Sequence, residues 1–199
     1  MIHRAAGVLT LMLGCALSGA ATSATVSVTV LDAAGKPLRD AVAFLESPQA
    51  KRATKPTPGA ELTQKNKAFL PQVLVVTTGT SVMFPNLDTV RHHVYSFSPA
   101  KRFELKLYVG TPANPVVFDQ AGVVVMGCNI HDQMVAHLLV VDTPYFGVTN
   151  AEGVLALNDV PAGDYSLRTW HSRLPVGVVA QSQALKLSAA GGAVSVTMK

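Results

Sequence analysis

The sequence predicts an all-β protein. Short runs of alternating or continuous apolar residues recur along it, and Gly, Pro, Asn or Asp stands between most of them. Beyond the first two dozen residues no stretch carries a helical period. At 199 residues, 49% hydrophobic and 14% charged, the chain can bury a core of one or two domains and is not of disordered composition.

In chain order, Met1 to Arg4 make a short basic start, an apolar run covers residues 5–17, and small residues lead to Ala24. This is the layout of a secretory signal peptide, cleaved after Ala24 or Ala21, and it predicts a periplasmic or secreted protein. Cys15 lies in the apolar run, but Leu11-Met12-Leu13-Gly14-Cys15 lacks the usual Leu three residues before a lipidated Cys. No second hydrophobic stretch is long enough to span a membrane. Val26, Val28 and Val30 alternate with Thr25, Ser27 and Thr29 as in a half-buried strand, a turn follows at residues 31–38, and residues 41–45 read as a second strand. Residues 47–59, rich in Pro, Thr and Lys, read as an exposed connection and a domain boundary. Further strands are expected at 73–76, 81–84, 93–97, 116–118, 122–126 and 135–141, then at 154–157, 165–170 and 194–198.

The formal charge of +4 is modest, and neither Arg-rich helices nor aromatic-plus-basic patterning points to nucleic acid. Once the leader is removed, Cys128 is the sole cysteine in an oxidising compartment, where thiols normally pair. It opens Cys128-Asn129-Ile130-His131-Asp132-Gln133-Met134, a loop that offers a thiolate, an imidazole and a thioether just after a strand. Copper that cycles between Cu(I) and Cu(II) suits this donor set, whereas zinc would want a firmer fourth ligand than Met. Coordination would also explain why the thiol stays unpaired. A second His must come from elsewhere, and Phe84-Pro85-Asn86-Leu87-Asp88-Thr89-Val90-Arg91-His92-His93-Val94 supplies two candidates.

On these motifs residues 60–142 resemble a small cupredoxin, the family of plastocyanin, pseudoazurin and amicyanin. The landmarks are Phe69-Leu70-Pro71, Gly79 before Ser81-Val82-Met83-Phe84, then Asn86, Asp88, the first His and Cys128-x-x-His131-x-x-Met134. The short interval from His131 to Met134 is the amicyanin-like one. The resemblance implies a Greek-key sandwich holding one blue-copper ion through His92, Cys128, His131 and Met134, with His93 the alternative first ligand. Gly127 stands where many members carry an aromatic residue, and Asp132 where many carry Pro. The flanks, residues 25–48 and 145–199, resemble a transthyretin-like carboxypeptidase regulatory domain: Val26 to Leu31, Gly35-Lys36-Pro37-Leu38, Thr149-Asn150-x-x-Gly153 and Val160-Pro161-Ala162-Gly163-Asp164-Tyr165 carry its pattern. The expected organisation is a leader (residues 1–24) and a smaller transthyretin/Ig-like sandwich interrupted by an inserted cupredoxin. The combination also resembles bacterial proteins labelled methylamine-utilisation or plastocyanin-like.

What the resemblance implies is a non-enzymatic electron carrier whose partner is a redox protein, a c-type cytochrome or dehydrogenase; a copper carrier or storage protein is the alternative. A multicopper oxidase or nitrite reductase would need further His-rich centres, and the six histidines form no His-x-His pair. His137 is expected to be a satisfied strand histidine and His171 a surface packing residue. Met83 and Met126 are read as strand packing, and Lys101, Arg102 and Lys106 as a solvated strand edge or a basic docking face.

Overall fold

The computed structural model describes residues 23–175, 177–178 and 180–199; the leader, including Cys15, lies outside them. The strands are β1 (Ser23–Leu31), β2 (Val42–Glu46), β3 (Ala60–Glu61), β4 (Thr63–Lys65), β5 (Ala68–Leu70), β6 (Val73–Thr77), β7 (Thr80–Met83), β8 (His92–Ser98) and β9 (Lys101–Tyr108). They continue with β10 (Val116–Phe118), β11 (Gly122–Gly127), β12 (Val135–Val141), β13 (Phe146–Val148), β14 (Val154–Pro161), β15 (Gly163–Trp170), β16 (Gln181–Leu187) and β17 (Gly192–Thr197). Among the described residues the architecture is all-β, with one helix of a turn and a half, α1 (Pro48–Ala53).

That helix corrects the reading of residues 47–59 as connection alone. Ser47 caps it through Oγ, which accepts the Ala50 N–H at 3.0 Å, Pro48 starts it, and Ala50 is buried. Six residues are too few for an amphipathic period to register in the sequence. Lys51 pairs with Asp142 at 2.8 Å and so ties the helix to the end of β12.

Strands from the two ends of the chain pair with one another. β1 lies between β14, antiparallel, and β17, parallel, while β2 lies between β13 and β15, with β16 at the edge. These two sheets enclose one core of Val26, Val28, Val30, Leu45, Leu155, Leu157, Leu167 and Val196 with their neighbours. Between them in sequence, the sheets β10-β7-β3 and β6-β12-β11-β8-β9, with the hairpin β4-β5, enclose a second core around Leu62, Phe69, Phe84, Phe118, Met126 and Leu138. The inward residues alternate along each strand, as the period-two pattern requires.

A third cluster joins the two sandwiches: Val42 and Phe44 of β2, Val73 and Val75 of β6, Leu139 and Val141 of β12, and Trp170 of β15. The same strands face a sandwich core with their other residues, Leu45 on β2, Val76 on β6 and Leu138 on β12. Burial on both faces is why these strands are apolar without interruption, where a half-solvated strand would alternate.

Candidate metal centre

The loop before β8 is held by Asn86, whose side chain is buried. Its Nδ2 donates to the carbonyls of Val90 (2.9 Å) and Tyr108 (2.8 Å), and its Oδ1 accepts the Asp88 N–H at 2.9 Å. Asp88 is thereby aimed at the β4–β5 hairpin, whose turn residues Asn66 and Lys67 take left-handed φ of 54° and 56°. Their N–H groups donate to Asp88 at 2.7 and 2.9 Å, and Asp88 Oδ2 lies 2.8 Å from His92 Nε2. The Lys67 N–H above all, with His92 and Asn66 adding to it, holds the Asp88 carboxyl below its usual range. A carboxylate there fixes the proton on Nε2 and leaves the Nδ1 lone pair of His92 free to face inward.

What Nδ1 faces is Cys128, at the end of β11, and His131 in the loop after it. His92 Nδ1 lies 3.2 Å from His131 Nδ1; Cys128 Sγ lies 3.9 Å from the first and 3.8 Å from the second. The three donor atoms fall within 4.8 Å of one another, and among the described residues they form the one such group of three or more His, Cys, Asp or Glu. Cys128 and His92 are buried and His131 is half-buried. Cys128 is the free cysteine of the described residues. The Met134 N–H donates to the His131 carbonyl at 2.9 Å, a tight turn that returns the Met134 side chain to the core cluster containing Cys128.

His93 is not part of this group. It points to the other side of β8, with Nε2 2.9 Å from Glu104 Oε1 and its ring centroid 5.8 Å from that of Tyr95. Tyr95 in turn covers Gly127, the residue before Cys128: a Cβ built on Gly127 would meet the Tyr95 hydroxyl oxygen at 3.0 Å. The aromatic group beside the cysteine therefore comes from the neighbouring strand, and the glycine is what admits it. Nothing in the linear sequence marks Tyr95, whereas Asp88 is visible as an acidic residue four positions before His92.

Other histidines and basic residues resolve differently. His137 is half-buried on β12 against Trp170, ring centroids 5.3 Å apart, and burial lowers its pKa. His171, expected at the surface, is buried: Nε2 lies 3.0 Å from the Arg39 carbonyl oxygen, and Nδ1 accepts the Arg173 N–H at 3.0 Å. It is a bridge from β15 to the β1–β2 connection, which sequence proximity to a loop conceals. Lys101, Arg102 and Lys106 lie on β9, the edge of its sheet, and Lys101 pairs with Asp119 at 3.1 Å. Met126 is core, and Met83 is partly buried.

No protein-family model matches the chain, and no curated protein matches it. Among solved structures it is similar to a novel purple cupredoxin from Nitrosopumilus maritimus, with 22% identity and a TM-score of 0.36 over 41% of this chain and 99% of that one. It is similar to a reduced Cu(I) form of an amicyanin variant, at 19% identity and a TM-score of 0.38, over 50% of this chain and 98% of the other. A Cu-containing nitrite reductase from Thermus scotoductus SA-01 is similar at 20% identity and a TM-score of 0.39, over 56% of this chain and 28% of that enzyme. Each likeness is partial and distant.

Proposed function

We propose that this chain is an exported blue-copper protein that carries single electrons between redox partners. The observation that carries the reading is the convergence of His92 Nδ1, from the start of β8, with Cys128 Sγ and His131 Nδ1, from the loop that follows β11. One thiolate and two imidazoles suit copper in both oxidation states, and Met134, returned to the same core, would be the weak fourth donor. Bound copper would supply the one-electron Cu(I)/Cu(II) couple.

The residues around the site would keep it rigid. Asp88 orients His92 through a carboxylate that is itself held by two backbone N–H groups, and second-shell bonds of this kind fix a ligand's tautomer and ring plane. A site that does not rearrange between oxidation states presents little barrier to electron transfer and releases its ion slowly, which favours a carrier of electrons over a carrier of copper. Half-buried His131 would be the exit, and Ile130 beside it is exposed, as are Leu87 and Val90 in the other ligand loop. These apolar side chains suit brief docking of a redox protein such as a c-type cytochrome or dehydrogenase.

The reading extends to the chain's organisation. The export leader would end at Ala24 or at Ala21. Ser23 and Ala24 pair with Pro161 and Val160 in β1, so cleavage after Ala21 would keep the strand whole. Residues 25–48 and 145–199 would form one transthyretin-like unit into which residues 60–142 are inserted; the pairing of β1 with β14 and β17 supports this division.

Loading the purified protein with Cu(II) tests the function. An intense visible thiolate-to-copper band, bleached by dithionite and absent from Cys128→Ala with its circular dichroism unchanged, is expected. Copper that passes readily to an apo acceptor, with no reversible one-electron wave in voltammetry, would replace electron carriage with copper delivery or storage.

A further inference from the structure

We propose that the outer edge of β17 pairs with the same edge of a second copy of this chain, antiparallel about a two-fold axis, and joins their β14-β1-β17 sheets into one. β17 (Gly192–Thr197) ends its sheet, and no strand among the described residues covers its other side. Successive strand residues turn their N–H and C=O groups to opposite sides, so the groups left open can be named. The Met198 N–H donates to the Leu31 carbonyl at 2.8 Å, which places Val196 and Val194 in the same ladder with β1. Ala193, Ser195 and Thr197 therefore present their backbone groups to the free edge, and all three residues are exposed.

An open edge is a template for another strand, and proteins usually blunt it with charge, Pro or irregular backbone. The other long edges of this chain are treated in that way. β9 carries Lys101, Arg102 and Lys106, β16 carries Lys186, and β14 ends in left-handed Asp159 (φ 56°) and Pro161. On β6 the Thr77 N–H is taken by Thr57 Oγ1 at 3.2 Å. The remaining edge strands span three residues or fewer. β17, with the sequence Gly-Ala-Val-Ser-Val-Thr, has neither a charge nor a Pro.

Symmetry identifies the occupant. A two-fold axis sets each residue against its own counterpart or a near neighbour of it, so a self-pairing strand cannot carry charge near its centre. Pairing with a foreign strand imposes no such condition; β17 meets it and β9 does not. Outward residues must face outward residues, and an axis at Ser195 gives the longest overlap. Ser195 then opposes its counterpart and Ala193 opposes Thr197, each pair exchanging both N–H···O bonds. Val196 of this strand belongs to the core of the flanking sandwich and Cys128 to the other, so the inference does not depend on the metal.

Sedimentation of the full chain, with Cys128 kept reduced, is expected to show monomer converting to dimer as concentration rises. Ser195→Lys and Ser195→Glu each set like charges against one another, on a side chain that faces solvent, and should each weaken the dimer about tenfold. An equimolar mixture of the two variants should recover it. In the wild type, amide exchange at Ala193, Ser195 and Thr197 should slow with concentration, while exchange along β9 does not. A monomer at every concentration up to about 1 mM would overturn the proposal. So would a dimer that neither charge weakens, or one whose Ala193, Ser195 and Thr197 amides exchange as fast as in the dilute chain.

Discussion

Two adjacent histidines on β8 have opposite fates because successive strand residues face opposite sides. His92 turns inward to Cys128 and His131, and His93 outward to Glu104 and Tyr95. His92→Ala is therefore expected to lose the visible copper band and most of its copper, whereas His93→Ala keeps both; metal stoichiometry and spectra of the two variants measure this. Tyr108, paired with His92 across the sheet, carries a pH signature. Its hydroxyl donates to the Phe84 carbonyl at 2.7 Å, and burial above all raises its pKa to about 12, with the Gln64 side chain opposing the rise. A raised folded-state pKa means the phenol's contribution is complete below pH ~10, the unfolded value, and is lost as pH rises through about 12. On the order of 1 kcal/mol, after allowance for solvent screening, should disappear over that interval. Denaturant midpoints measured across it should fall for the wild type and stay flatter for Tyr108→Phe. At this scale the sequence displays the donor types and their spacing after β11, since a Cys-x-x-His-x-x-Met loop is local. It does not display Tyr95 over Gly127 or Arg39 against His171, because those contacts are made across strands whose register no single segment contains.

Elements that meet through side-chain bonds to backbone offer a sharper stability test than apolar packing does. Thr149, buried just after β13, accepts the Ala41 N–H at 2.9 Å and donates to the Leu38 carbonyl at 2.6 Å, joining the start of β2 to the far end of the chain. Thr149→Val keeps the shape and removes both bonds, leaving a buried N–H and a carbonyl unmatched. A loss of about 1–3 kcal/mol is expected in urea denaturation, with the copper band unaffected in the native baseline. Gly153 closes the neighbouring turn at φ 72°, where a Cβ would come within 2.6 Å of the Val30 carbonyl oxygen, so the shape of that turn needs a residue without a side chain. Strands with a clear apolar alternation, such as β1, are legible from sequence. β9 and β16 are not, because their faces are largely solvated and Lys, Gln and Ser interleave their few apolar residues. α1 is hidden for the converse reason: its existence depends on a cap and one buried alanine.

Across the whole molecule the decisive fact is that neither sandwich is finished on its own. Val73, Val75, Leu139 and Val141 of the middle segment are covered by Val42, Phe44 and Trp170 from the flanks. Residues 60–142 produced alone should still bind copper, since every candidate ligand lies within them, but they should self-associate through the uncovered face. Size-exclusion chromatography would register that as a larger species, and Val75→Asp with Leu139→Asp in the fragment should return it to a monomer. The uninterrupted apolar runs in β6 and β12 do announce burial on both faces, but which surface lies opposite them is a matter of tertiary arrangement that no run of residues specifies.

The pairing of β1 with β17 also has a meaning in time. Translation delivers Val26, Val28 and Val30 first, yet their neighbours on either side, β14 and β17, emerge only after the whole middle segment. Loop closure over so many residues is slow, whereas the middle segment's own strands are all available earlier. The sandwich that would hold the metal can therefore assemble while the first strand is still waiting. A ribosome that stalls before residue 192 would release a chain with a formed centre and an open, adhesive edge along β1.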